Sequence, residues 1–389
     1  MGALDGVKVI DAGLLVQAPQ AAATLREWGA DVVKVELPGL GEHSRWLPVQ
    51  PGDLRSAYYE ACNRGKRSVT IDLHSADGVE IFLRLVDWAD VLVTNFVPGT
   101  MERFGLGADA LQARNPRLIF ADGSTFGLVG PDAQVEGADL AGQAAGGLIS
   151  TTGVDGGEVT PVGATVADHI ASQNLLAGVL AALYARERTG RGQRVSTSLV
   201  GGAIWAQASE ITGCMMRGGR VAGRSNRGHA LIPGMYGIFR TADGWIAVVG
   251  VVGPLRTTFF HVIGRPELAE QFPQLLYWEE EKAALFPLVD DAMVSATTDQ
   301  WCERLAAAGI RHAPVRDHAQ VIADRNLWDN GYFATVDGHD VVAVPVAFSA
   351  TPGAPPARAP ELGEHTEEVL LELGYTWDDI ARFQESKAI

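Results

Sequence analysis

Cysteine is scarce: Cys62, Cys214 and Cys302 are the three in 389 residues. They stand singly, without the spacing of a disulfide framework or a zinc site. Basic residues are in deficit, 31 Lys and Arg against 47 Asp and Glu, for a net charge of −16. That balance argues against a nucleic-acid or anionic-membrane partner, though not against a local basic pocket for a small anion. Long apolar runs are missing. Even the 170–183 stretch is interrupted by Ser172, Gln173 and Asn174, so no membrane span is expected. The start "MGALDGVKVIDAG" has no basic region followed by an apolar core, so no signal peptide is expected and a cytoplasmic setting is.

Several chemical fingerprints are also missing. "IDAGLLVQAP" follows a strand but holds only Gly13, with Gln17 and Ala18 where a dinucleotide loop needs glycine. "TGRGQ" has no Lys-Ser/Thr after it, and no G-x-S-x-G elbow occurs. His43, His74, His169, His229, His312 and His365 occur in unrelated contexts, and none pairs at ligand spacing. No metal site is expected.

What is present is a large core. The chain is 47% hydrophobic and 20% charged, and its length suits about two domains. Apolar runs at 7–11, 31–36, 90–96 and 117–124 read as strands, and 21–30, 78–89 and 108–115 between them as helices. This alternation predicts an α/β fold with a parallel sheet. The Gly- and Arg-rich "RGGRVAGRSNRGH" marks a composition shift near 217, and "YGIFRTADGWIAVVG" reads as a hairpin turning at Ala242-Asp243-Gly244. "TPGAPPARAPELG" is an extended connector before a last helix that stops at Gly374.

One helix carries an acid that its apolar pattern does not need. Val166, Ala167, Ile170, Ala171, Leu175, Leu176, Val179, Leu180 and Leu183 recur at helical spacing, and Asp168 lies in the first turn. Thr165-Val-Ala-Asp168 fits a capping pattern, which suffices to explain the acid locally. Elsewhere, "ACNRGKRSVTIDLH" joins Arg64, Lys66 and Arg67 to a strand. "ADVLVTNFVPGTMERFGLG" sets Asn95 and Phe96 at a strand end, followed by Arg103. Strand ends of this kind bind ligands in open α/β sheets, and these groups suit an adenine nucleotide with a phosphate.

Taken in order, "GVKVID", "GADVVKVELPGLGEHSR", "NRGKRSVTIDL", "ADVLVTNFVPGTMERFGLG", "NPRLIFADGSTFGLVGP", "GADLAGQAAGGLISTTG", "PVGATVADHIASQNLLAGVLAAL", "RTGRGQRVSTSL" and "LGEHTEEVLLELG" resemble the family III CoA-transferases over nearly the whole chain. That group includes formyl-CoA transferase, the carnitine CoA-transferases and α-methylacyl-CoA racemase. The resemblance implies a Rossmann-like large domain from residues 1–216 and 330–389 and a smaller α/β domain with linkers from 217–329. It also implies two monomers interlocked as a homodimer. It places the family's nucleophile on Asp168 and its CoA contacts on Gln17, Ala18, Ile71, Asp72, Leu73, Asn95, Phe96 and Arg103, with Asp139 beside the thioester. The implied substrates are an acyl-CoA donor and a small carboxylic acid acceptor, coenzyme A being substrate rather than a tightly bound cofactor.

Departures from the family pattern qualify these expectations. Pro38 replaces an arginine that binds phosphate in some members, which shifts that load toward Arg103, Lys66 or Arg67. The tetraglycine flap of formyl-CoA transferase is absent, its nearest substitute being the loop at 217–228, so formate specificity is not expected. Arg45, Arg217, Arg224 and Arg227 are candidates for the second carboxylate of a donor such as succinate. Amides near Gly146 and Gly147 are candidate oxyanion donors. Racemase members carry a histidine where this chain has Ala138, and His169, beside Asp168, projects about 100° away around the helix. Proton exchange at Cα is therefore not expected. A CoA-binding protein without catalysis is the remaining alternative.

Overall fold

The computed structural model describes residues 2–47, 55–154, 156–218, 227–229, 231–273 and 278–389. Strands β1 (Lys8–Ala12), β2 (Asp31–Glu36), β3 (Arg67–Thr70), β4 (Val91–Thr94), β5 (Ile119–Ser124) and β6 (Arg194–Ser198) form one sheet in the order β3-β2-β1-β4-β5-β6. Every neighbouring pair is parallel. Because strand side chains alternate between faces, Val9, Val32, Val91 and Ile119 join one apolar cluster while Ile10, Val33, Leu92 and Phe120 join another. The first cluster is covered by helices Gln17–Glu27 and Val166–Thr189; the second by Ala76–Trp88 and the C-terminal helices Thr366–Glu372 and Trp377–Glu385. Strand order reverses between β1 and β4, which opens the crevice at the carboxyl ends of the strands where α/β proteins bind ligands.

The chain divides into two compact units. One comprises Met1–Gly146, Gly163–Ala206 and Arg325–Ile389, the other Gly147–Val162 and Gln207–Asp324. Both chain ends thus enter the parallel-sheet unit, and the composition shift near 217 falls ten residues inside the other. In that second unit, β7 (Arg227–His229), β8 (Ile232–Arg240), β9 (Trp245–Val251) and β10 (His312–Pro314) make an antiparallel sheet in the order β10-β9-β8-β7. The predicted hairpin is there: Arg240 pairs with Trp245, and the Thr241 amide donates to the Gly244 carbonyl at 2.9 Å. Phe239, Phe259, Phe260 and Trp301 fill its core. Most of the predicted 217–228 loop lies outside the described residues.

One expectation is corrected. Among the described residues one helix, Val166–Thr189, is long and apolar enough by length and composition to cross a membrane. Ser172, Gln173 and Asn174 interrupt its apolar run without ending the helix: Ser172 is buried, Asn174 half-buried and Gln173 exposed. A core helix passes the same test. Leu175, Leu176, Val179 and Ala182 of this helix pack into the sheet cluster.

Candidate active site

The capping reading of Thr165 does not hold. Its side chain makes no cap hydrogen bond. The first-turn amides of Ala167 and Asp168 donate instead to Asp139 Oδ1, at 2.7 and 3.2 Å. Asp139 opens the helix Asp139–Ala145, and its Oδ2 accepts from Gln143 Nε2 at 2.6 Å. Gly142 permits the approach: a Cβ there would lie 2.7 Å from the Leu199 Cβ and 3.0 Å from the Ala167 Cβ. With its helix capped from elsewhere, Asp168 is released from local duty. Burial and the neighbouring Asp139 charge push its carboxyl up to about 7, against the pull of a hydrogen bond from the Gln17 amide.

That amide belongs to a tightly held turn. Gln17 and Ala18, both buried, begin the helix Gln17–Glu27 after the four-residue turn 13–16 that follows β1, so the positive end of its dipole faces the Asp168 carboxylate through Gln17. Gly13 cannot carry a side chain, since a Cβ would sit 2.6 Å from the Ala18 Cβ and 2.8 Å from the Pro19 Cδ. The Leu14 amide donates to Asn95 Oδ1 at 2.7 Å, and Asn95 Nδ2 donates to the Leu14 carbonyl at 2.9 Å. Leu15 adopts a positive φ of 61°, a strained conformation for a branched side chain, and its amide donates to Glu42 Oε2 at 3.1 Å. Glu42 and Leu15 are site elements that the residue pattern did not disclose; neither a positive φ nor a bond across 27 residues has a local sequence signal.

Beneath the turn lies a buried ionic cluster. Asp11, Lys34 and Lys66 are each fully enclosed. Asp11 Oδ2 meets Lys66 Nζ at 2.6 Å and Lys34 Nζ at 3.6 Å, and Asp11 Oδ1 accepts from the Gly13 amide at 2.8 Å. Lys66 also donates to the carbonyls of Pro19 and Cys62 and to Asn63 Oδ1. Burial pushes Lys66 down to about 8 despite Asp11. Burial alone would raise Asp11, but the two lysines hold it below the ordinary carboxylate value.

On the other side of Leu14, a cleft of about 320 Å³ opens at the carboxyl ends of β1, β2 and β4, with Ala12, Leu14, Ile71, Leu73, His74 and Phe96 among its walls. Ile71, Leu73 and Phe96 therefore stand together. Asp72 accepts from the His74 amide at 2.9 Å, while its own amide donates to the Ala388 carbonyl. Arg103 is exposed, with Nη2 on Thr100 Oγ1 at 2.8 Å.

Several cationic candidates are engaged elsewhere. Lys66 is fully buried in the cluster. Arg67 pairs with Asp31, Glu368 and Glu372. Arg45 binds Glu36 through both Nε and Nη2, at 2.7 and 2.8 Å, and also meets Tyr59 and the Pro360 carbonyl. None of the three is an anchor for an incoming anion. Arg217 is exposed, whereas Arg224 and the side chain of Arg227 lie outside the described residues. The Gly146 amide is engaged within its helix by the Gly142 carbonyl at 2.9 Å, which removes it as an oxyanion donor. Ala138 is exposed and offers no base, and His169 Nδ1 lies 2.6 Å from Gln20 Oε1. No group of residues suited to hold a metal occurs among the described residues.

The family model described as CoA-transferase family III matches residues 4–366. The chain is 34% identical to the succinyl-CoA–L-malate CoA-transferase beta subunit of Chloroflexus aurantiacus, over 95% of this chain and 94% of that one. It is 33% identical to the succinyl-CoA:mesaconate CoA-transferase of Haloarcula hispanica, over 96% and 97%. A solved CAIB/BAIF family protein from Brucella suis superposes with a TM-score of 0.86 at 30% identity, over 96% of this chain and 99% of that one.

Proposed function

The chain belongs to CoA-transferase family III, and from that premise we propose that it moves coenzyme A from an acyl-CoA donor to a carboxylic acid through a thioester on Asp168. The observation that carries the proposal is the released carboxylate: an acid at a helix start that does not cap it, half-buried, raised to about 7 and aligned by the Gln17 amide. A carboxylate of raised pKa is a stronger nucleophile than an ordinary one, and neutral pH still leaves about half of it ionised.

Ionised Asp168 attacks the donor thioester carbonyl. The C–S bond breaks, giving a mixed anhydride and the CoA thiolate. That thiolate attacks the aspartyl carbonyl, expelling the donor acid as its carboxylate and leaving CoA on Asp168. An acceptor carboxylate then attacks this thioester, CoA returns as thiolate, and its attack on the acceptor acyl carbon yields the new acyl-CoA and free Asp168. Both intermediates hydrolyse in water, so the site must exclude it. The apolar cleft of Ile71, Leu73 and Phe96 receives the adenosine end, and Arg103 at the exposed edge meets phosphate. Succinyl-CoA is the first donor to test, since two relatives carry it in their names. An interlocked homodimer and a cytoplasmic setting belong to the same proposal; light scattering checks the first through a mass twice that of the chain.

The test is chemical capture. After incubation with succinyl-CoA, borohydride converts an aspartyl thioester to the alcohol and hydroxylamine converts it to the hydroxamate, each a defined mass change on the Asp168 peptide. An unmodified peptide from an enzyme that still exchanges CoA refutes the thioester. Racemisation is the second reading, and Ala138 speaks against it. Deuterium uptake at Cα of a 2-methylacyl-CoA in D₂O would establish racemisation instead. CoA binding with no exchange into any acid indicates a non-catalytic binder.

A further inference from the structure

Resting on the reading of Asp168 as nucleophile, we propose that the buried Asp11–Lys34–Lys66 cluster is its positioning device: two ammonium groups grip the turn on either side of Gln17 and so hold the Gln17 amide on the Asp168 carboxylate. Lys34 Nζ donates to the Gly13 carbonyl, and Lys66 Nζ donates to the Pro19 carbonyl at 2.8 Å. Gln17 lies between those two anchors. Asp11 ties the anchors together, taking both lysines on Oδ2 and the Gly13 amide on Oδ1.

Three buried charges are a costly way to stabilise a fold, because desolvation offsets most of their attraction. Asp11 answers Lys66 most directly, and the buried Glu42 side chain, which also acts on Lys34, answers the second cation. Glu36 and Glu42 act on Lys34, and Cys62 lies near both lysines, raised to about 12 by burial and so neutral. Glu36 is already matched by Arg45. The cluster therefore acts on the Gln17 amide by fixing the turn through the Gly13 and Pro19 carbonyls, not by leaving a net positive charge at the helix start. At Asp168 itself the facing groups are the Gln17 amide and Asp139, with His169 turned to Gln20.

Lys34→Met tests the device, since it leaves the Asp11–Lys66 pair neutral and intact. Gln17→Pro tests its output by removing the amide hydrogen, and Gln17→Ala, which keeps that hydrogen and loses the buried side chain with its 3.4 Å bond to the Ser124 carbonyl, is its control. The readout is the titration of the Asp168 carboxyl by ¹³C NMR of aspartate-labelled full-length enzyme without substrate, assigned by the signal missing in Asp168→Asn. Because it needs no turnover, it stands or falls apart from the thioester reading. Lys34→Met and Gln17→Pro should both raise the midpoint by about one unit, with an equal displacement of the acid limb of kcat/KM, and Lys34→Met should keep a KM for succinyl-CoA within about twofold of wild type. The double variant should shift little further than the larger single one, because both act through one amide. A folded Lys34→Met with the wild-type midpoint overturns the proposal, as does an additive double variant. If Lys34→Met does not fold, Lys66→Met, which removes the anchor on the Pro19 carbonyl, decides: an unmoved midpoint overturns the device and a raised one supports it.

Discussion

Thr165-x-x-Asp168, Thr297-x-x-Gln300 and Thr376-x-x-Asp379 are the same signal in sequence and different objects in space. At Thr297 the reciprocal box forms, the Gln300 amide donating to Thr297 Oγ1 at 3.3 Å and the Thr297 amide to Gln300 Oε1 at 3.1 Å. At Thr376 the box also closes, through Asp379 at 3.2 and 2.9 Å. At Thr165 it does not: Asp139 takes the amides, and Asp168 turns to the Gln17 amide. An acid that satisfies its own helix is used up. One whose helix is satisfied from elsewhere is available for chemistry.

The largest test of this contrast is activity. Asp168→Asn should lower CoA exchange by at least about 10³-fold, because an amide is no nucleophile here, whereas Gln300→Ala should leave exchange unchanged. Near-wild-type exchange in Asp168→Asn makes the residue a mere helix-start acid. Next comes Asp139→Asn, which keeps an acceptor oxygen for the Ala167 and Asp168 amides but removes the charge. Its kcat/KM should keep an acid limb displaced downward from about 7 by roughly one unit, since burial, the larger cause, persists. A limb that stays put means that Asp139 is a cap and no more.

A smaller effect concerns stability against pH. The folded Asp168 carboxyl is raised above its unfolded value near 4, so its favourable contribution is complete below pH 4 and is lost as pH rises through about 7. Asp168→Asn should therefore be more stable than wild type at pH 8, by roughly 1–2 kcal/mol after allowance for partial exposure. At pH 4 that gap should close. Paired melts at the two pH values check it, and a gap that is constant with pH contradicts the raised carboxyl. The smallest effects lie in the caps themselves. Thr297→Ala and Thr376→Ala should each cost about 1 kcal/mol, while Thr165→Ala, which removes no cap bond, should cost less than about 0.3 kcal/mol in denaturant titrations.

Much of the frame was legible from residue order. The run Asp31–Glu36 is a strand with the bounds its valines suggest, and the turn at 241–244 closes as Ala-Asp-Gly predicts. The helix after β1 begins at Gln17, four residues before the apolar pattern starts at 21, because a first turn needs no buried stripe and Pro19 tolerates its missing amide there. Lys66, Arg67 and Arg45 read as surface cations for phosphate or carboxylate. The fold matches Lys66 and Arg67 with carboxylates far away in the chain, at Asp11 and at Glu368 and Glu372, and Arg45 with Glu36 nine residues before it.

Local order along the chain specified the alternation of strands and helices, the acid in the first turn of Val166–Thr189, and the family motifs around it. These follow from side-chain periodicity and short-range capping chemistry, which act over a few residues. Folding alone assigned the hydrogen-bond partners: Asp139 to the amides of Ala167 and Asp168, Asn95 to Leu14, and Lys34 and Lys66 to the two sides of Gln17. In a dry interior every polar group must find a partner, and which partner it finds depends on segments roughly 20 to 80 residues apart meeting in space. Asp168 differs from the other acids at helix starts by that assignment, which periodicity does not encode.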